Sequence, residues 1–203
     1  MPRPTVEILK KDVLSAVAAL RRGTEPTAGR ANIIAAVDRL EASSDAANKS
    51  IRGLDGRWSL VYSTRVADSA NNVDSIVDFI SSRLYKFFFR FLPFLAGSSG
   101  NDEFSSTSLA ANIQEISLDD RRIINTVTIK SPLQLAIVVE GECEASPTQR
   151  ISDPVGVLFT SFTINGLRIP LPRPKGTLRT TYCDDDLRIS RGGQGGLFVV
   201  KRI

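Results

Sequence analysis

Leu54-Asp55-Gly56-Arg57-Trp58-Ser59-Leu60-Val61-Tyr62, which holds the chain's one tryptophan, decides the fold together with a stretch at the other end, Leu187-Arg188-Ile189-Ser190-Arg191-Gly192-Gly193-Gln194-Gly195-Gly196-Leu197-Phe198-Val199-Val200. In the first, Trp58, Leu60 and Tyr62 fall on one face, and Arg57, Ser59 and Ser63 on the other. That is the period of a half-buried strand. The second reads as two strands joined by a glycine-rich hairpin. An antiparallel sheet closes into a barrel by bringing its first strand beside its last. The indole of Trp58 then meets an arginine of a terminal strand at the barrel floor, a contact on the order of 1 kcal/mol. Arg191 is the expected partner, because Leu187, Ile189 and Arg191 share an otherwise apolar face. Arg188 is expected to point outward. Gly56, Trp58, Arg188 and Arg191 are the expected closing motif.

The same period recurs between these ends. Asp119-Asp120 marks a turn between strands over 111–118 and 121–130. Next, Leu133, Leu135, Ile137, Val139, Gly141 and Cys143 share one face of a strand. Glu140, Glu142 and Glu144 share the other and read as a solvated exterior ladder rather than paired catalytic carboxylates. A strand over 157–164 runs into Asn165-Gly166, the signal of a type I′ hairpin turn. Pro170, Pro172 and Pro174 cut the return strand short. Three more strands cover 178–183, 187–191 and 197–200. Asp184-Asp185-Asp186 turns the first joint; solvated carboxylates account for it, and no metal is expected. The glycine run turns the second. A phosphate cradle would need a helix after it, whereas a strand follows.

Two helices precede the strands. Val6, Leu9, Val13, Val17 and Leu20 recur at helical spacing, then Gly23 interrupts. Ile33, Ile34, Val37 and Leu40 mark a second helix that starts near Thr24 to Thr27. Short helices with one apolar face must pack on something larger, here the barrel exterior or one of its ends. The segment 72–95 reads as a further helix, inserted after the first strand. Five of the ten phenylalanines lie in it: Phe87, Phe88, Phe89, Phe91 and Phe94. Five charges interrupt it and Pro93 ends it, so it is not a membrane span. Three roles remain open for it: core packed on the barrel, a lid over the barrel mouth, or a lipid-interface helix with its basic residues at headgroup level.

The expected fold is therefore mainly β, an antiparallel β-barrel with two N-terminal helices and an inserted helix. Residues 1–50 form the helical pair and 51–203 the barrel, treated as a single domain. At 203 residues such a chain buries roughly 70% of its extended surface. The formal charge of +4 is too small to imply nucleic acid. There is no histidine. That excludes Ser-His-Asp and Cys-His nucleophiles and His-ligated metals. Cys143 and Cys183 lack metal spacing and read as small buried thiols. Met1-Pro2-Arg3-Pro4 runs straight into a charged amphipathic segment, so neither a signal peptide nor a transit stretch is expected.

Gly56-Arg57-Trp58-Ser59-Leu60-Val61-Tyr62-Ser63-Thr64, Ser146-Pro147-Thr148-Gln149-Arg150-Ile151 and Thr181-Tyr182-Cys183-Asp184-Asp185-Asp186-Leu187-Arg188-Ile189-Ser190-Arg191-Gly192 resemble the motifs of the plastid-lipid-associated proteins, the plant and cyanobacterial fibrillin family. The resemblance covers nearly the whole chain. One departure is visible: where that family usually reads Gln-x-Ile-Asp, this chain has Gln114-Glu115-Ile116-Ser117. The resemblance implies a lipocalin-like cup. It also implies a plastid location in the stroma or at plastoglobule or thylakoid surfaces, and a carotenoid, quinone, tocopherol or fatty acid cargo.

The residues themselves support non-enzymatic binding of one hydrophobic small molecule, without a cofactor. The expected lining is Trp58, Leu60, Tyr62, Leu135, Ile137, Val139, Leu178 and Tyr182, with the two tyrosines as its polar groups. The expected partners are that molecule and a lipid surface touched peripherally. A scaffold that docks an isoprenoid or prenylquinone biosynthetic enzyme, with the Pro170–Pro174 loop as its candidate interface, is the alternative. An isoprenoid-modifying enzyme is a further one, though the chain offers no histidine base, nucleotide fingerprint or evident nucleophile.

Overall fold

The computed structural model describes residues 4–63, 109–129, 135–171, 173, 175–192 and 196–203. It opens with helices α1 (Val6–Arg21) and α2 (Pro26–Glu41). Leu9, Val13 and Val17 of α1 and Ile33, Ala36, Val37 and Leu40 of α2 are buried, the spacing of one apolar stripe per helix. Pro26 sits where the missing N–H costs nothing. Beside it the Glu25 carboxylate accepts from the N–H groups of Thr27 and Ala28. Two single turns of 3-10 helix, Ala46–Asn48 and Ile51–Leu54, lead into the sheet.

The strands are β1 (Gly56–Ser63), β2 (Leu109–Ser117), β3 (Arg122–Ile129), β4 (Leu135–Glu144), β5 (Val155–Ile164), β6 (Leu167–Pro170), β7 (Lys175–Cys183), β8 (Leu187–Gly192) and β9 (Leu197–Arg202). All pairings are antiparallel. The order is β4-β3-β2-β1-β9-β8-β7-β5-β6, and β4 also pairs with β5. Eight strands thus close a barrel, with β1 beside β9 as the ends of the sequence required. β6 is a short flap turned off β5 at Asn165-Gly166, whose φ values of 45° and 89° suit a type I′ turn. The inserted helix over 72–95, with Phe87, Phe88, Phe89, Phe91 and Phe94, lies outside the described residues. Ser63 and Leu109, which flank it, both lie at the end of the barrel away from Trp58.

Two clusters separate inside from outside. Trp58, Ile116, Ile123, Cys143, Val155, Val157, Cys183 and Val200 come from seven strands around the barrel and meet in one cluster with Ala46, Ile51, Leu54 and Ile151. This is the interior, sealed at one end by the 3-10 turns. The other cluster joins the helices to Tyr62, Tyr182, Leu187, Ile189, Leu197 and Val199. It lies outside the staves β1, β7, β8 and β9, so the helical pair covers the barrel exterior rather than an end.

Two β-bulges decide which residues face which side. Leu60 pairs with Val200 but Tyr62 with Val199, leaving Val61 extra. Thr180 pairs with Ser190 but Tyr182 with Ile189, leaving Thr181 extra. One inserted residue reverses the phase of everything beyond it. Both bulges meet the helices: Arg21 donates to the Val61 carbonyl at 2.6 Å, and Thr181 donates to Glu41. The expectation that Tyr62 and Tyr182 line the interior is therefore corrected. Both point outward under the helices. The Tyr182 hydroxyl donates to Asp184 at 2.6 Å, beside Lys10.

Candidate functional site

The floor is built by the stretches singled out in the sequence. Trp58 is fully buried, and its indole N–H donates to the Leu54 carbonyl at 2.9 Å. Two guanidinium groups lie over its ring, Arg202 at 4.1 Å and Arg188 at 4.8 Å from the centroid. Each such contact contributes about 0.5–2 kcal/mol. Arg202 also donates to the carbonyls of Asp55 at 2.7 Å, Gly53 at 3.0 Å and Asp185 at 3.0 Å, lacing the last strand to the entry of the first. Gly56 explains itself here. Its φ is +121°, and a Cβ there would stand 2.6 Å from Arg202 Nη1. The Ser146–Ile151 motif clamps the 3-10 turns from the other side: Ile51 N–H donates to the Gln149 carbonyl at 3.1 Å and Ile151 N–H to that of Lys49 at 2.9 Å.

The choice of arginine is a correction. Leu187, Ile189 and Arg191 do share a face, but it is the exterior one, apolar because the helices cover it. Arg191 donates to Glu41 at 2.6 Å and Asp38 at 3.0 Å on α2. Arg188, expected outside, faces inward between Cys143, Cys183 and Arg202 and is 1% exposed. Burial lowers its pKa to about 10, so it stays charged at neutral pH. Burial pushes both thiols up.

Above the floor the interior changes character. By register Leu60, Gln114, Asn125, Val139, Phe159, Leu178 and Phe198 all point inward, yet they are half-buried rather than buried. Ile137 is fully buried and shares their side. Leu135 occupies the matching position of β4 opposite Ile129. Of the expected lining, Trp58, Leu60, Ile137, Val139 and Leu178 thus share the inner side.

The interior also holds polar groups that the sequence reading passed over. Gln114 Nε2 donates to Asn125 Oδ1 at 2.9 Å, Arg188 Nη2 donates to Gln114 Oε1, and the Thr180 and Ser190 hydroxyls pair at 3.0 Å. The available signal was phase: Gln114 is two residues from buried Ile116, and Asn125 two from buried Ile123. Ser117, where the resemblance would place an acid, exchanges hydrogen bonds with Asp120 and fixes the β2–β3 turn. Glu140 and Glu142 stand outside, paired with Arg122, Arg168 and Arg173. Asp184 spends its carboxylate on Lys10, Tyr182 and two backbone N–H groups. Among the described residues no group of carboxylates and thiols is placed to hold a metal, and no helix is long and apolar enough to cross a membrane.

The chain matches the PAP_fibrillin family over residues 7–201. A rice protein (Oryza sativa subsp. japonica) named probable plastid-lipid-associated protein 3, chloroplastic, is 44% identical over 62 residues, 27% of this chain and 16% of the relative. The match thus spans about one sixth of that relative's length. No solved structure matches the chain.

Proposed function

The chain belongs to the PAP_fibrillin family, and on that premise we propose that its barrel holds one apolar small molecule at a plastid lipid surface and catalyses no reaction on it. An isoprenoid, quinone, carotenoid or fatty acid is the class of cargo. The observation that carries this reading is the two-level interior. A floor closed by Trp58, Arg188 and Arg202 lies beneath inward rows in which Leu60, Val139, Phe159 and Leu178 stay half-buried beside the buried Val127, Ile137 and Phe162. Burying several hundred Å² of ligand surface at roughly 25 cal/mol/Å² supplies micromolar binding after ordering costs. The helical pair of 1–50 and the barrel of 51–203 act as one unit, and Phe87, Phe88, Phe89, Phe91 and Phe94 form its lid or lipid contact. Native mass spectrometry of protein purified from its own organism, followed by organic extraction, tests the cargo. One co-purifying apolar molecule per chain is expected. A bare chain that also takes up nothing from lipid vesicles refutes the reading. Liposome flotation of Phe87→Ser, Phe88→Ser, Phe89→Ser protein tests the lipid contact: lost flotation supports it, and unchanged flotation removes it.

A second reading, a docking scaffold for a biosynthetic enzyme, is favoured by β6. That flap ends the sheet order and leaves Leu167 67% exposed, with Ile169 exposed beside it. A pull-down from plastid extract that retains one enzyme stoichiometrically, and loses it on Leu167→Ser, would support the scaffold.

A further inference from the structure

The barrel interior carries a positive charge that no described residue neutralises. Arg188 is buried, and its Nε and Nη1 meet no acceptor among the described residues. The groups around it are the face of the Trp58 ring, the Gln114 side-chain oxygen, two thiols, neutral at physiological pH because burial raises them, and a second guanidinium, Arg202; none of them carries a negative charge. Arg202 is satisfied by three carbonyls and pairs with no carboxylate among the described residues. An unpaired buried charge is costly, and the structure supplies a route by which a ligand can offset it.

That route is a chain of amides. A guanidinium only donates, so the oxygen of Gln114 must face Arg188. This turns Gln114 Nε2 toward Asn125 Oδ1, 2.9 Å away. The Asn125 oxygen is thereby occupied, and its NH₂ is left as the chain's last donor, with no acceptor among the described residues. Asn125 is half-buried on the inward row beside Val139 and two positions from Val127. Each amide dipole is aligned with its positive end away from Arg188. The lumen therefore presents N–H donors backed by a full charge, in a wall whose Thr180 and Ser190 hydroxyls are already paired with each other.

We propose that the lumen takes an apolar chain ending in a carboxylate, whose oxygens accept from the side-chain NH₂ groups of Asn125 and Gln114 above Arg188. Arg188 acts as a positioning residue that orients both amides and supplies the charge behind them. A neutral alcohol or ester offers an acceptor without the charge and uses only part of this arrangement. The inference rests on the lumen holding an apolar guest at all.

The test is titration of the full chain with palmitate and with methyl palmitate, followed by Trp58 emission. Palmitate is expected to bind about tenfold or more tighter than its ester. Asn125→Leu and Gln114→Met should each weaken palmitate about fivefold or more and the ester by less, removing most of that preference. Arg188→Met should do the same. Asn125→Leu, at a half-buried position, keeps the question answerable if the arginine variant fails to fold. Equal binding of the two ligands, or a preference that survives both amide variants, overturns the head-group assignment and leaves the lumen reading standing. Failure of both ligands to bind overturns the lumen reading itself and this assignment with it.

Discussion

Replacing Lys10 with methionine tests whether one buried ion cluster fastens the helical pair to the barrel. The Lys10 ammonium, on a side chain 9% exposed, lies 2.8 Å from Asp184, 3.1 Å from Asp186 and 3.1 Å from Glu7. Asp186 and Glu7 are largely exposed and contribute little. Asp184, 22% exposed, also accepts from Tyr182 Oη at 2.6 Å, Asp186 N at 2.9 Å and Leu187 N at 2.7 Å. Burial opposes its charge, but Lys10 and these donors outweigh burial and hold its carboxyl at about 2.

Against an unfolded value of about 3.9, that shift corresponds to roughly 2.5 kcal/mol shared among all the donors. Loss of Lys10 should remove about 1–2 kcal/mol at pH 7, or roughly 2–8 °C in Tm for a chain of this size. Because the folded pKa is depressed, the stabilisation is complete above the unfolded pKa and disappears as pH falls toward 2. About half of it should be gone at pH 3. Urea unfolding of wild type, Lys10→Met, Asp184→Asn and the double variant at pH 7 and pH 3 measures this as a coupling energy. A coupling of about 1 kcal/mol that shrinks in acid is expected. A coupling below about 0.3 kcal/mol at pH 7, with parallel acid limbs for wild type and Lys10→Met, refutes the reasoning.

Trp58 emission should be unmoved by Arg191→Ala, which touches only α2, and shifted by Arg202→Ala; the reverse pattern would return Arg191 to the indole. At Gly141 a Cβ would meet the Leu158 carbonyl at 3.0 Å and Ile123 at 3.1 Å. Gly141→Val should therefore cost about 1–3 kcal/mol in urea unfolding, and an unchanged midpoint would show the inner wall to be looser than described. Cys143 and Cys183 are buried with raised pKa values. Neither should react with an aromatic disulfide reagent at mildly alkaline pH until the chain is denatured, and prompt native reaction would place a thiol at the surface.

Much of the architecture was readable because its signals are local. Alternation over Trp58–Leu60 and over Ile137–Cys143 requires strands, whatever their partners. Asn165-Gly166 requires a tight reversal, and the helical stripes of Val13–Val17 and Val37–Leu40 require a surface to cover. Trp58 beside the final strands followed from the need of an antiparallel sheet to hide its edges. The three quoted motifs all converge on the floor, where the chain must close.

Which side each residue faces was decided elsewhere. The pattern Leu60-Val61-Tyr62 looks like unbroken alternation, and so does Thr180-Thr181-Tyr182. Only pairing with β9 and β8 reveals that each stretch carries one residue too many, placed where a helix receives it. The same holds for the arginines. The side chains of β8 alternate regularly, but a strand does not record which of its faces is the inside. That was fixed when α1 and α2 packed over Leu187 and Ile189, sending Arg191 to Glu41 and leaving Arg188 to the interior. Periodicity is a property of neighbours along the chain, whereas inside and outside exist only once distant segments have packed.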